Sequence, residues 1–207
     1  MHFTNSTKEK IFYAATELFA EKGYSNVSMR EIAKEVNIKA ASIYNHFSSK
    51  EQILETLFDY YLSRMDEFYD KLDKVSSNLS ADEKLEDLLK QLMFSYEPDE
   101  LKIMYELTRL VTHEQFRSHK AADALVGSGY RKYMEKHVLF FDRLSDLGLI
   151  KGKERNHMYG ELFARISLTF TSQLLHPEIT PTLKDQSVLY SFIIPLIVNY
   201  EQDIAND

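Results

Sequence analysis

The stretch that decides the fold is Lys39–Leu54, KAASIYNHFSSKEQIL. Tyr44, Asn45 and His46 stand in a row, followed by Phe47, a serine pair and Lys50. Three bulky polar side chains on one turn need an explanation in a chain that is otherwise acidic. Just upstream, a second short helical run covers about 29–36 and ends in Glu35-Val36-Asn37-Ile38. Two short helices joined by a tight turn form a helix-turn-helix, in which the second helix can lie in a DNA major groove. Such a turn needs positive φ. Asn37 is one of the few non-glycine residues that adopts it cheaply. Ile32, Ala33, Val36, Ile38 and Ile43 are expected to pack this pair against a first helix.

That first helix is predicted over about 6–22. Ile11, Ala15, Leu18 and Phe19 follow the spacing of one buried helical face, and Gly23 ends it. Ser6…Glu9, Ser28…Glu31, Ser48…Glu51 and Ser80…Glu83 each match the capping box, in which a serine accepts from an orphan N–H and the glutamate reaches back. Further helices are predicted at about 40–46, from near Ser49 to Asp73, at 81–96, and from Pro98 to Val111. The segment Lys74–Leu79 reads as a loop. A shorter helix from Thr112 is expected to break at Gly127-Ser128-Gly129. The last helices are predicted at about 130–147, ended by Gly148, at 154–175, and at 183–204 with an interruption at Pro195. Alternation of the strand type is absent, so the fold class is all-α.

The 207 residues suit a small domain joined to a larger one, and 44% hydrophobic residues suffice for a core. With no cysteine there is no disulfide framework and no thiolate chemistry, which fits a reducing compartment. No apolar run reaches the length of a membrane span and the first residues lack a signal-peptide pattern, so a cytoplasmic location is expected. Net charge is −7, yet residues 1–50 hold seven basic against five acidic residues, and the remainder 18 against 27. The first fifty residues therefore stand apart electrostatically.

The run KIFYAATELFAEKGYSNVSMREIAKEVNIKAASIYNHFSSKEQIL resembles the DNA-binding domain of the TetR/AcrR family of bacterial transcriptional repressors. Ala15, Leu18-Phe19, Gly23-Tyr24, Ser28, Ile32-Ala33, Ile43-Tyr44, His46-Phe47 and Ser49-Lys50-Glu51 carry the match. The resemblance implies a helix-turn-helix domain at 1–50 and, through a long helix, a helical effector-binding and dimerisation domain at 51–207. It makes the third helix the recognition helix. Lys39, Ala40, Ala41, Ser42, Tyr44 and Asn45 would face the groove, with Ile43 and Phe47 in the core. Lys39 and Asn45 are the candidates for base hydrogen bonds, and Ala40 or Ala41 for a thymine methyl. Ser28, Tyr44, His46 and Lys50 would meet phosphates. A lysine at a helix start opposes the helix dipole, which a phosphate beside Lys50 would relieve.

The same resemblance implies a homodimer through the helices at 154–175 and 183–203, which are apolar on more than one face, and a small-molecule effector held in the second domain. Candidate lining residues are Phe58, Tyr61, Met65, Phe94, Met104, Tyr105, His113, Tyr133, His137, Phe141, Phe163 and Phe170. Taken singly, each aromatic is as well explained by plain core. Gly160, in mid-helix, suits close helix packing. The expected function is a ligand-responsive repressor released from an inverted-repeat operator by an apolar or amphipathic inducer. The rival is an all-α binding protein or enzyme whose helix-turn-helix is a packing motif. Nothing in the sequence has the form of GxSxG, a Walker A loop, a dinucleotide-binding loop or HExxH, so no catalytic residue, cofactor or metal is expected.

Overall fold

The computed structural model describes residues 6–82, 98–150 and 157–165, and all regular structure among them is helical. The elements are α1 (Thr7–Lys22), α2 (Met29–Glu35), α3 (Ala40–Ile43), α4 (Lys50–Asn78), α5 (Pro98–Glu114), α6 (His119–Ala122), a π-helical stretch (Asp123–Arg131) and α7 (Lys132–Asp146). Residues 157–165 form a further helix, α8. None of the described helices is long and apolar enough to cross a membrane. The segments expected at 81–96 and 183–204, most of 166–175, and the Ser80…Glu83 cap lie wholly or partly outside the described residues.

Local signals place most helix ends. Both expected capping boxes in the head form: Ser6 with Glu9, and Ser28 with Glu31. Asn37 has φ 55, and it closes α2 through Asn37 N–H to Lys34 O (3.1 Å) and Ile38 N–H to Ala33 O (2.9 Å). Those two bonds are the paired hydrogen bonds of a Schellman cap. Gly148 ends α7 in the same way, with φ 73.

Three expectations are corrected. α4 is capped by Ser49, whose hydroxyl accepts from Gln52 N–H (3.1 Å), while the Gln52 side chain takes up Ser48 N–H (2.6 Å). The expected Ser48…Glu51 box is thus replaced by a Ser49 cap, with Gln52 reaching back past it to Ser48. α4 also continues through Lys74–Asn78 as helix, with Ser77 bonded back to the Asp73 carbonyl. Finally, Gly127-Ser128-Gly129 does not break the chain. It lies within the π-helical stretch that leads into α7, and the Tyr69 hydroxyl donates to the Ser128 carbonyl. Glycine weakens a helix by about 1 kcal/mol relative to alanine but does not forbid it.

The chain divides into two compact units, Met1–Arg64 with Pro98–Gly127, and Met65–Glu97 with Ser128–Asp207. In the first, Ile11, Ala15, Leu18 and Phe19 are buried as their spacing requires, together with Ile32, Ala33, Ile43 and Phe47. Val36 and Ile38 are half-buried. α1 packs on α2 and α5; Glu17 pairs with Lys102 at 2.7 Å, and Phe12 meets Tyr60 edge-on. Lys120 ties α6 to α4 through Glu55 (2.6 Å) and Asp59 (2.7 Å).

In the second unit, Lys132 bonds Asp66 (2.6 Å) and Lys136 bonds Asp73, joining α7 to the later turns of α4. α8 approaches α7 very closely at Gly160, where a Cβ would fall 2.6 Å from Val138 Cα. The expected division into 1–50 and 51–207 is one of function, whereas these units are ones of packing.

Candidate nucleic-acid interface

α3 is a single helical turn, prolonged by the turn at Tyr44–His46. Ser42 N–H bonds Lys39 O (2.8 Å), and His46 and Phe47 N–H both bond Ile43 O (3.0 Å). Ile43 and Phe47 are held in the core at this point, fully buried. Their burial fixes the rotation of the turn. Lys39, Ala41, Tyr44 and Asn45 are consequently exposed, and Ala40, Ser42 and His46 are half-buried. Tyr44 is 55% exposed. Hydrogen-bonding groups, a cation and a ring face thus point outward from one rigid turn. This arrangement can read base edges and meet phosphates.

Two residues expected to meet phosphate already have protein partners. Ser28 is exposed, but its hydroxyl donates to Glu31 Oε2 (2.9 Å) and accepts from Glu31 N–H (3.2 Å). Its hydrogen bonds to Glu31 hold the Glu31 carboxyl below the usual range. Lys50 is the first residue of α4, and its side chain turns back from the helix start. Nζ donates to Tyr24 O and Val27 O, both at 2.8 Å, and sits 4.1 Å from the Tyr24 ring centroid. The unfavourable dipole interaction noted from sequence is relieved by carbonyls of the protein's own backbone. Sequence reasoning missed this pairing because the partners are backbone atoms, which leave no residue-type signature.

The expected effector-lining residues fall in both units. In the first, Phe58, Tyr61 and Met104 are buried, Tyr105 is half-buried, and His113 is exposed. His113 therefore does not serve as a polar anchor among buried rings. In the second, Met65 is half-buried, and the structure brings Tyr133, His137, Phe141 and Phe163 together. The His137 ring centroid lies 4.1 Å from that of Tyr133 and 5.4 Å from that of Phe163, with Phe141 beyond at 5.7 Å from Phe163. Phe68, stacked on Tyr133 at 5.8 Å, and Tyr159, next to Phe141, complete this group. Phe68 was legible as the next step of the Tyr61, Met65 stripe on α4.

His137 Nδ1 is 2.8 Å from the Tyr133 carbonyl. Burial pushes the imidazole down to about 4, opposed by that carbonyl, so it is neutral at pH 7. Phe94 and Phe170 lie outside the described residues. Among the described residues, no group of three or more His, Asp or Glu side chains is placed to hold a metal ion.

Residues 11–57 match the family model described as "Bacterial regulatory proteins, tetR family". The biofilm operon icaADBC HTH-type negative transcriptional regulator IcaR of Staphylococcus aureus (strain Newman) is 36% identical over 113 residues. That alignment spans 53% of this chain and 56% of IcaR, little more than half of either. The Bacillus subtilis protein named "Probable HTH-type transcriptional regulator YttP" is 32% identical over 180 residues, 85% of this chain and 79% of YttP. Among solved structures, the SmeT–triclosan complex matches with a TM-score of 0.64 at 18% identity, over 89% of this chain and 87% of SmeT. At that identity the likeness concerns the fold alone.

Proposed function

Because this chain belongs to the tetR family of bacterial regulatory proteins, we propose that it is a DNA-binding transcriptional repressor whose operator is released by a small-molecule effector. The observation that carries the reading is the outward display of Lys39, Ala41, Tyr44 and Asn45 over the buried Ile43 and Phe47. In this proposal α3 enters the major groove. Lys39 and Asn45 read base edges, Ala40 or Ala41 meets a thymine methyl, Ser42 faces the groove, and Tyr44 and His46 contact phosphates. Ser28 supports α2 as its cap and reaches phosphate only by releasing Glu31. The negative regulation in IcaR's name favours repression over activation.

The functional division falls at 1–50 for DNA and 51–207 for effector and dimer contacts. The aromatic group around His137 suits an apolar or amphipathic effector, since it offers ring faces with few polar atoms. Such an effector acts only if it binds the DNA-incompetent state more tightly than the other. Homodimerisation through the helices at 154–175 and 183–203 would present two copies of α3 to an inverted repeat. Regulation of this kind proceeds by binding and asks no catalytic group of the chain.

The test is selection of bound duplexes from a random double-stranded pool. The expected outcome is an enriched inverted repeat, with Asn45→Ala relaxing preference at one position of each half-site by about 1–3 kcal/mol. Absence of any enriched sequence with folded, effector-free protein would overturn the proposal.

A further inference from the structure

The first turn of α4 is chemically joined to the turn that precedes α2. Lys50 Nζ donates to the carbonyls of Tyr24 and Val27, each at 2.8 Å, and the ammonium lies 4.1 Å from the Tyr24 ring centroid. The Tyr24 ring is itself fixed edge-on against the buried Phe19 of α1 at 5.2 Å. Burial raises the Tyr24 hydroxyl pKa, and so do the carboxylates of Glu51, Glu114 and Glu55. Val27 is 2% exposed, so its carbonyl belongs to a buried residue at the foot of α2.

These contacts connect two points of the chain with α2, the Asn37 turn and α3 between them. From the geometry we infer that Lys50 is a positioning residue. It clasps residues 24–50 into a closed loop that holds the reading turn at a fixed angle. The inference rests on the DNA-binding reading above and goes beyond it. An ammonium has three donors, and two are taken by carbonyls at normal hydrogen-bond length while the charge faces a ring. The third donor and the full positive charge stay available to DNA, so the clasp is judged in the free protein, where no phosphate competes for the ammonium.

The experiment compares wild type with Lys50→Met, which keeps the apolar stem over the ring and removes the ammonium. Affinity for the selected duplex is measured at a temperature where circular dichroism shows both proteins folded. The clasp predicts a loss of about tenfold or more in affinity. It also predicts faster amide exchange across residues 28–47 in the free protein, a readout independent of DNA. Tyr24→Leu should lower affinity too, and the double variant should be no weaker than Lys50→Met alone.

Unchanged amide exchange across residues 28–47 would overturn the inference; so would unchanged affinity. Should Lys50→Met fail to fold, Tyr24→Leu decides. With the lysine charge intact, wild-type affinity would sink the clasp, and lost affinity with faster amide exchange would support it. If wild type enriches no duplex, the DNA reading fails on its own. The exchange comparison then still judges whether Lys50 holds the loop.

Discussion

His137 shows what one residue's environment imposes. Its imidazole is 1% exposed, lies among the rings of Phe68, Tyr133 and Phe163, and has Nδ1 held by the Tyr133 carbonyl. Burial lowers its pKa to about 4, whereas in the unfolded chain it titrates near 6.5. Between those values the unfolded state binds more protons, so stability rises with pH. The contribution is complete above about pH 6.5 and is lost as pH falls toward 4, by up to about 3 kcal/mol. Urea unfolding between pH 4.5 and 7.5 should show this decline in wild type and a flatter profile in His137→Gln. Equal pH slopes would mean that His137 does not titrate as its surroundings require. The sequence marked His137 as a candidate, but its protonation depends on how many rings surround it, and spacing alone does not report that.

At the scale of elements, Gly160 controls how closely α8 lies on α7. A Cβ there would stand 2.6 Å from Val138 Cα and 2.8 Å from Val138 N, both backbone atoms that cannot swing aside. Gly160→Ala gains helix propensity, yet it must push the two helices apart. The net expectation is destabilisation of about 1–3 kcal/mol, seen as a lower urea midpoint with an unchanged m-value; a variant as stable as wild type would contradict the close approach.

Elements were legible where their signals are local. Ser6, Ser28, Asn37 and Gly148 each bond backbone within a few residues, so side-chain type and spacing sufficed. The failures were of two kinds. Lys74–Asn78 and Gly127–Gly129 were judged by weak propensity, which the surrounding helix overrides. Lys50 and the Lys120, Lys132 and Lys136 pairs with α4 join residues distant in sequence, which no window of the chain contains.

For the whole molecule, the relevant fact is that neither compact unit is continuous in sequence. The first needs Pro98–Gly127 as well as Met1–Arg64, because α5 packs on α1 and α6 reaches α4 through Lys120. A fragment ending at residue 64 leaves that side of α1 uncovered. It should show no cooperative thermal transition by circular dichroism, while one ending at residue 127 should show one. A sharp transition in the shorter fragment would mean that α1 to α4 suffice.

The discontinuity also affects when the reading head is completed. Synthesis proceeds from the N-terminus, so the recognition turn leaves the ribosome well before α5 has been translated. At roughly 5–20 residues per second the delay is on the order of several seconds. Through that interval the nascent N-terminal segment lacks part of its support. Completion of the first packing unit therefore waits for translation past Glu114 and is not settled by the first fifty residues alone.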